Sequence, residues 1–165
     1  LISKPLFKSS LHSAFEKIYS GKDAYVKADV TQTYDFSGKR VLLVEDHILN
    51  IEVAKKLLTA KHLEVEVAEN GLQAIEIFAQ RDEGYYDAIL MDIRMPMMDG
   101  LTATKAIRQM RKGDAKTIPI IAMTANAFDD DIETTKAAGM NAHLAKPIEP
   151  VILYQTMQRF LYQEA

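Results

Sequence analysis

Residues 39–45 read KRVLLVE, a run of four apolar residues that begins after two basic side chains and ends in an acid. A short apolar run of this kind is typical of a strand that is buried on both faces of a parallel sheet. Two similar runs follow along the chain, DAILMD at 87–92 and IPIIAMT at 118–124. The three runs therefore predict three strands of one sheet, and each strand ends in a polar residue.

Helical segments and two further strands alternate with these runs. The remaining predicted strands cover 63–68 and 141–145. Four helices are predicted over 48–60, 101–112, 128–138 and 151–162. A fifth helix begins at Gly71, with Asn70 as its N-cap. Strand and helix thus alternate five times with short connections. This pattern predicts an α/β fold, a doubly wound five-stranded parallel sheet with helices on both faces. Ligands of this fold class bind at the carboxyl ends of the strands.

The composition excludes several classes of function. The net charge is -3 and the 20 basic residues are spread along the chain, so no basic face for nucleic acid is expected. Because there is no cysteine, disulfides, thiolate zinc sites and cysteine nucleophiles are excluded. No stretch approaches the roughly 20 apolar residues of a membrane span, so we expect no membrane contact by this chain.

The polar residues at the predicted strand ends form one candidate site. Glu45 and Asp46 end the first strand, Asp92 the third and Thr124 the fourth, while Lys146 follows the fifth. Three carboxylates at one sheet edge repel one another, and a hard cation such as Mg²⁺ would relieve that repulsion. Asp92 is then a candidate nucleophile toward a phosphoryl donor. Thr124 and Lys146 are candidates to bind the phosphoryl oxygens.

Four segments, in this order, resemble the motifs of response-regulator receiver domains. They are VLLVEDHILN at 41–50, ILMDIRMPMMDG at 89–100, IIAMTANA at 120–127 and GMNAHLAKPI at 139–148. The resemblance covers about residues 38–162. It implies a flavodoxin-like sheet with strand order 2-1-3-4-5 and a phosphoprotein of a two-component phosphorelay.

The resemblance also implies a residue-by-residue site. Asp46, Asp92 and the backbone carbonyl of Arg94 would bind Mg²⁺, with Glu45 supporting the metal through water. Asp92 would become the aspartyl phosphate, and Lys146 would contact the phosphoryl group.

Further residues are implied to control the response. Thr124 would contact the phosphoryl group and act as a switch, and the Lys146–Pro147 bond is usually cis in this family. The second switch position commonly carries Tyr or Phe, whereas this chain has His143. Arg94 and Asn126 lie two residues beyond the acceptor and the threonine, so we expect them to set the lifetime of the phosphate.

Alternative functions leave other signatures. A haloacid-dehalogenase-type phosphatase also uses a strand-end aspartate, but its DxDxT pattern needs a second acid, and this chain has Arg94 there. A receiver-like scaffold that is not phosphorylated is disfavoured by the intact set of acids. A dinucleotide-binding module would need a glycine-rich first turn, which Glu45-Asp46-His47-Ile48 does not provide.

The N-terminal residues resemble the end of the receiver itself. LISKPLFKSSLHSAFEKIY at 1–19 aligns with 143–161 and brings one Lys-Pro pair onto the other. We therefore predict that residues 1–19 are the tail helix of an upstream receiver-like domain, residues 20–37 a linker and residues 38–165 the receiver domain. Deletion of residues 1–37 is then expected to leave the receiver folded.

This organisation is typical of a hybrid sensor histidine kinase with tandem receivers. The expected partners are the histidine kinase core or a histidine phosphotransfer domain, and self-association is left open. The domain itself would be a phosphoacceptor, and the kinase activity would belong to the parent protein. A cytoplasmic location is expected, in a parent that could be anchored in the inner membrane.

Overall fold

A five-stranded parallel sheet organises the part of the chain that the structure, a computed structural model, describes, namely residues 34–125 and 129–162. The strands are β1 (Arg40–Val44), β2 (Glu64–Ala68), β3 (Ala88–Asp92), β4 (Ile120–Thr124) and β5 (Ala142–Ala145). Their order is β2-β1-β3-β4-β5, and every neighbouring pair is parallel. The predicted fold class and strand order are confirmed.

Five helices connect these strands. They are α1 (Ile48–Thr59), α2 (Gly71–Gln80), α3 (Gly100–Arg108), α4 (Asp129–Ala138) and α5 (Pro150–Leu161). The Asn70 side chain caps α2 as predicted, because its oxygen accepts a hydrogen bond from the backbone N–H of Gln73 at 2.9 Å. Within the described ranges, no helix has the length and apolar character that crossing a bilayer would require.

Successive residues of a strand face opposite sides of the sheet, and this alternation builds two apolar cores. In β1, Val41 and Leu43 face the core that α1 and α5 cover, and Leu42 and Val44 face the core that α2 and α3 cover. Because both faces are covered, β3 and β4 are apolar up to their last residues, Asp92 and Thr124. Polar side chains are thus confined to the carboxyl ends of these strands and the residues that follow them.

Helix α3 ends earlier than the sequence predicts, at Arg108 rather than Lys112. The Lys112 ammonium donates hydrogen bonds to the carbonyls of Phe78 and Arg81 at the end of α2, at 2.9 and 2.8 Å. The Phe78 carbonyl also accepts the backbone N–H of Arg81 at 3.3 Å, and a cation interacts favourably with the last carbonyls of a helix. Lys112 therefore binds the end of the neighbouring helix α2 and is not part of α3.

The packed domain begins at Tyr34, four residues before the predicted boundary at 38. Tyr34 and Phe36 are buried in the core under α1 and α5, and the rings of Tyr34 and Tyr154 lie 5.5 Å apart. The Phe36 backbone N–H also donates to the carbonyl of Lys61 at 2.8 Å. These aromatic side chains gain by leaving water, so residues 34–37 are part of the domain. The predicted tail helix at 1–19 lies outside the described residues.

Phe36 should therefore contribute strongly to stability. Its side chain is completely buried, and Phe36→Ala is expected to lower the free energy of unfolding by about 3–5 kcal/mol. A chain that starts at Gly38 should show a similar loss, whereas one that starts at Tyr34 should not. Urea unfolding followed by circular dichroism measures both differences. Equal stability of the two truncated chains would show that the aromatic segment contributes nothing.

Candidate functional site

The parallel pairing of the strands brings four predicted site residues to one edge of the sheet. Glu45 directly follows β1 and is 1% exposed, and Asp92 ends the neighbouring strand β3 and is 4% exposed. Thr124 ends β4 and is buried. Lys146 follows β5, and its backbone N–H donates to the carbonyl of Thr124 at 2.8 Å. The expected convergence of these strand ends is what the structure shows.

Lys146 joins the two buried carboxylates. Its ammonium nitrogen lies 3.0 Å from Oε1 of Glu45 and 3.0 Å from Oδ1 of Asp92. The other Glu45 oxygen accepts the backbone N–H of His47 at 3.1 Å. Charge-assisted hydrogen bonds of this kind hold the side chains in fixed positions. One cation thus serves two acids, and the site carries an excess of negative charge.

Asp46 completes a group of three carboxylates. Each of Glu45, Asp46 and Asp92 offers an oxygen atom, and these atoms all lie within 4.8 Å of one another. Asp46 is exposed, so the group opens to solvent on one side. An all-oxygen donor set with an open side suits a hard cation that keeps several waters, as Mg²⁺ does.

The ionisation of the site reflects its excess of acid. Burial and the negative charge of Glu45 raise the pKa of Asp92 to about 6, although the hydrogen bond from Lys146 opposes the shift. Burial also acts to raise the pKa of Glu45, but the hydrogen bonds from Lys146 and His47 outweigh it and lower that pKa. The pKa of Lys146 is raised, because its bonds to both acids outweigh burial. A further positive charge near Asp92 would offset the repulsion from Glu45 and lower the pKa of Asp92.

Gly100 is a requirement of the site that the sequence analysis did not identify. A Cβ atom at this position would lie 2.2 Å from the backbone oxygen of Asp92 and 2.9 Å from Cγ of Met91. Only glycine therefore allows α3 to start against the end of β3. Asp99 caps the same helix, because its side chain accepts the backbone N–H of Thr102 at 2.8 Å.

The remaining predicted residues occupy different settings. Arg94 is exposed, two residues beyond Asp92, and Asn126 lies outside the described residues. The Lys146–Pro147 peptide is cis, as the resemblance implied. His143 is half-buried on β5 and lines a cavity of about 340 Å³ between α4, β5 and α5.

Several large apolar side chains that lie a few residues after the acids in the sequence are exposed, and their exposure was not predicted. Ile48 and Leu49, at the start of α1, are 71% and 67% exposed, and Val53 lies one turn further along the helix and is also exposed. Met97, in the loop between β3 and α3, is 77% exposed. Both segments follow strand ends at the carboxyl edge of the sheet. Exposed apolar groups around a polar site are typical of a surface that binds another protein.

A family model for the response regulator receiver domain matches residues 41–158. Hybrid signal transduction histidine kinase I from Dictyostelium discoideum is 38% identical over 121 residues, which are 72% of this chain and 7% of that protein. The chain spans between 5% and 17% of the length of eight curated relatives that it matches.

Solved structures agree with this match. The receiver domain of sensor histidine kinase PA1611 from Pseudomonas aeruginosa, with magnesium coordinated in its active-site cleft, is 39% identical with a TM-score of 0.68. That alignment covers 76% of this chain and 98% of the other. A co-crystal structure of the Saccharomyces cerevisiae phosphotransfer protein Ypd1 and the receiver domain of Ssk1 contains a match of 28% identity and TM-score 0.68. It covers 76% of this chain and 90% of that one.

The family model spans most of the chain, and the four sequence motifs, the strand order and the cluster of acids agree with it. The chain belongs to the response regulator receiver family of two-component signalling, which includes the receiver domains of hybrid histidine kinases and phosphorelay proteins.

Proposed function

We propose that Asp92 accepts a phosphoryl group from a partner histidine in a phosphorelay. The observation that carries this proposal is the meeting of three carboxylates within 4.8 Å of one another, with the Lys146 ammonium 3.0 Å from Asp92. Phosphoryl transfer depends mainly on positioning and on neutralisation of charge. Both are supplied by side chains that the sheet holds at fixed positions.

Mg²⁺ is the proposed cofactor. Asp46, Asp92 and the backbone carbonyl of Arg94 would hold it, with Glu45 acting through water. The excess of acid and the raised pKa of Asp92 support this assignment. When bound, the ion would neutralise charge on the transferring phosphoryl group.

The proposed transfer uses the residues as follows. A carboxylate oxygen of Asp92 attacks phosphorus, the O–P bond forms, and the P–N bond to the donor histidine breaks. The histidine nitrogen takes the electron pair of that bond. Lys146 is within reach of Asp92 and would bind one phosphoryl oxygen, and the Thr124 hydroxyl would bind another.

Incubation with acetyl phosphate tests the proposal. With Mg²⁺ present, intact mass should show the addition of one phosphoryl group, and chelation of the metal with EDTA should prevent it. A phosphorylated histidine phosphotransfer protein should give the same product. If neither donor labels the chain in the presence of Mg²⁺, the domain is a scaffold and the proposal is wrong.

The affinity for Mg²⁺ should decrease as the pH is lowered. The metal competes with a proton for Asp92, whose pKa is about 6 in the absence of metal, so binding should be about tenfold weaker at pH 5 than at pH 7. Calorimetric titration measures this ratio, and Asp92→Asn should reduce it.

In the metal-free domain, the folded chain holds the proton on Asp92 more tightly than the unfolded chain. Its stability should therefore decrease as the pH rises from about 4 to about 6.

Arg94 and Asn126 are proposed to set the lifetime of the phosphate. They follow Asp92 and Thr124 by two residues, where side chains can control the approach of the attacking water. Arg94→Ala and Asn126→Ala should change the rate of dephosphorylation without removing phosphorylation. The decay of the phosphorylated mass with time measures this rate. Unchanged decay in both variants would contradict the assignment.

His143 and Thr124 are proposed to transmit phosphorylation to the surface formed by α4, β5 and α5. The cavity beside His143 supports this role, because it offers room for the imidazole to turn. Such a shift needs only a few kcal/mol of differential interaction. Amide shifts caused by beryllofluoride should therefore extend to this surface. Shifts confined to the residues around Asp92 would rule the switch out.

The proposed partner is a histidine phosphotransfer domain or the histidine kinase core of the parent protein. The exposed Ile48 and Leu49 follow the acidic residues in the chain and offer apolar contacts to such a partner. We further propose that the parent is a hybrid histidine kinase whose receiver lies in the cytoplasm. Residues 1–19 would then be the tail of an upstream receiver-like domain, and the following residues a linker.

A further inference from the structure

Met97 lies at the tip of a closed loop beside the proposed phosphorylation site. The loop leaves β3 after Asp92, and the backbone N–H of Gly100 closes it by donating to the carbonyl of Ile93 at 2.8 Å. Within the loop, the N–H of Met98 donates to the carbonyl of Pro96 at 2.7 Å, which makes Met97 the central residue of a γ-turn. The position of Met97 relative to β3 is therefore fixed.

The conformation of Met97 is unfavourable for this residue type. Its φ angle is 72°, in the left-handed region that glycine, asparagine and aspartate adopt more readily. Met97 is also 77% exposed, so its apolar surface gains little from burial. A strained residue that does not contribute to packing points to a function. Methionine is suited to contacts with apolar protein surfaces, because its side chain is flexible and polarisable.

Met97 is more exposed to solvent than any other methionine of the chain. All eight methionines of the chain lie in the described ranges. Four of them are buried and three are half-buried, and Met97 alone is exposed. The polar neighbour of its sulfur is the Asn70 amide nitrogen, at the long distance of 3.8 Å. A soluble oxidant should therefore reach Met97 first.

We propose that Met97 is a site of oxidation by hydroperoxides, and that its sulfoxide slows phosphotransfer between Asp92 and a partner histidine. A sulfur lone pair attacks the peroxide oxygen, an S–O bond forms, and the O–O bond breaks. Water or an alcohol leaves after proton transfer. The thioether is oxidised by two electrons and the hydroperoxide is reduced by two. The inference rests on the proposed function of Asp92.

The sulfoxide would act on docking rather than on the acceptor. It converts an apolar side chain into a polar one in a loop that follows β3, at the same edge of the sheet as the start of α1 with its exposed Ile48 and Leu49. A partner that covers this surface would have to desolvate the new S–O group. A small phosphodonor makes no such contact, so its reaction with Asp92 should be unaffected.

Mild hydrogen peroxide treatment of the 165-residue chain tests the selectivity. Peptide mass mapping should find the sulfoxide at Met97 before Met95 and Met98. Transfer from phosphorylated Ypd1 to the treated chain should then be about tenfold slower than to the untreated chain. Labelling by acetyl phosphate should keep its rate. Loss of that labelling would instead implicate the phosphorylation site itself.

Two variants isolate the role of Met97. Met97→Leu removes the oxidisable sulfur, so peroxide should no longer change the transfer rate from Ypd1. Met110→Leu, at a half-buried methionine in another loop, is the matched control and should remain peroxide-sensitive. The proposal is overturned if another methionine is oxidised first, or if peroxide slows transfer equally in Met97→Leu. It is also overturned if Ypd1 does not phosphorylate the untreated chain while acetyl phosphate does.

Discussion

Asp92→Asn is expected to abolish phosphorylation by acetyl phosphate. The amide lacks the anionic oxygen that attacks phosphorus, and it is a poorer ligand for the metal. The substitution also removes a buried charge that Glu45 repels, so the fold should be retained. Intact mass after incubation with Mg²⁺ and acetyl phosphate measures the loss, and circular dichroism verifies the fold.

Asp99→Asn provides the matched control for this experiment. It makes the same chemical change at the end of the loop that follows Asp92, where Asp99 caps α3 through the backbone N–H of Thr102. Asparagine caps helices nearly as well as aspartate, so labelling should persist. Full labelling of Asp92→Asn would contradict the assignment. Loss of labelling in both variants would show that the loop, rather than the carboxylate, had been tested.

Lys146→Met is expected to slow phosphorylation about 100-fold, the loss that follows removal of one fixed charge-stabilising group. Lys146 contacts both Glu45 and Asp92 at 3.0 Å, and methionine keeps most of its length without its charge. Without the ammonium, the pKa of Asp92 should rise further, so that less of the nucleophilic carboxylate is present at neutral pH. The rate of labelling by acetyl phosphate measures the combined effect.

Lys105→Met is the control for the loss of a lysine charge. Lys105 is exposed on α3, so its substitution should leave the rate within about twofold of the original. Arginine at position 146 would keep the charge but change the geometry of the donor, and an intermediate rate is expected. A normal rate in Lys146→Met would show that the salt bridges serve stability alone.

Periodicity and strand-end chemistry made most of the fold and site predictable. The apolar runs around Val41 and Ile89 are short, which favours strands covered on both sides, and parallel strands bring their carboxyl ends together. Glu45, Asp92 and Lys146 therefore met as expected. The resemblance added what spacing cannot give, namely the strand order and the cis bond before Pro147.

Other features depend on contacts between segments that are distant in sequence. Phe36 is buried by α1 and α5, which local pattern does not reveal, so the boundary was placed after it. The sequence predicted that α3 extends to Lys112. The carbonyls that Lys112 binds belong to α2, and this contact between distant segments cannot be recognised from the local sequence. The need for glycine at position 100 follows from its distance to the backbone of Asp92, and the exposure of Met97 is a property of the folded loop that the local sequence does not reveal.

Chemical trapping of the phosphorylated residue tests the central claim most directly. Borohydride reduces an aspartyl phosphate to homoserine, and peptide sequencing by mass spectrometry then locates it. After incubation with Mg²⁺ and a phosphodonor, homoserine should appear at residue 92 and at no other aspartate. Homoserine at Asp46, or a phosphate that survives borohydride on another residue type, would contradict the account.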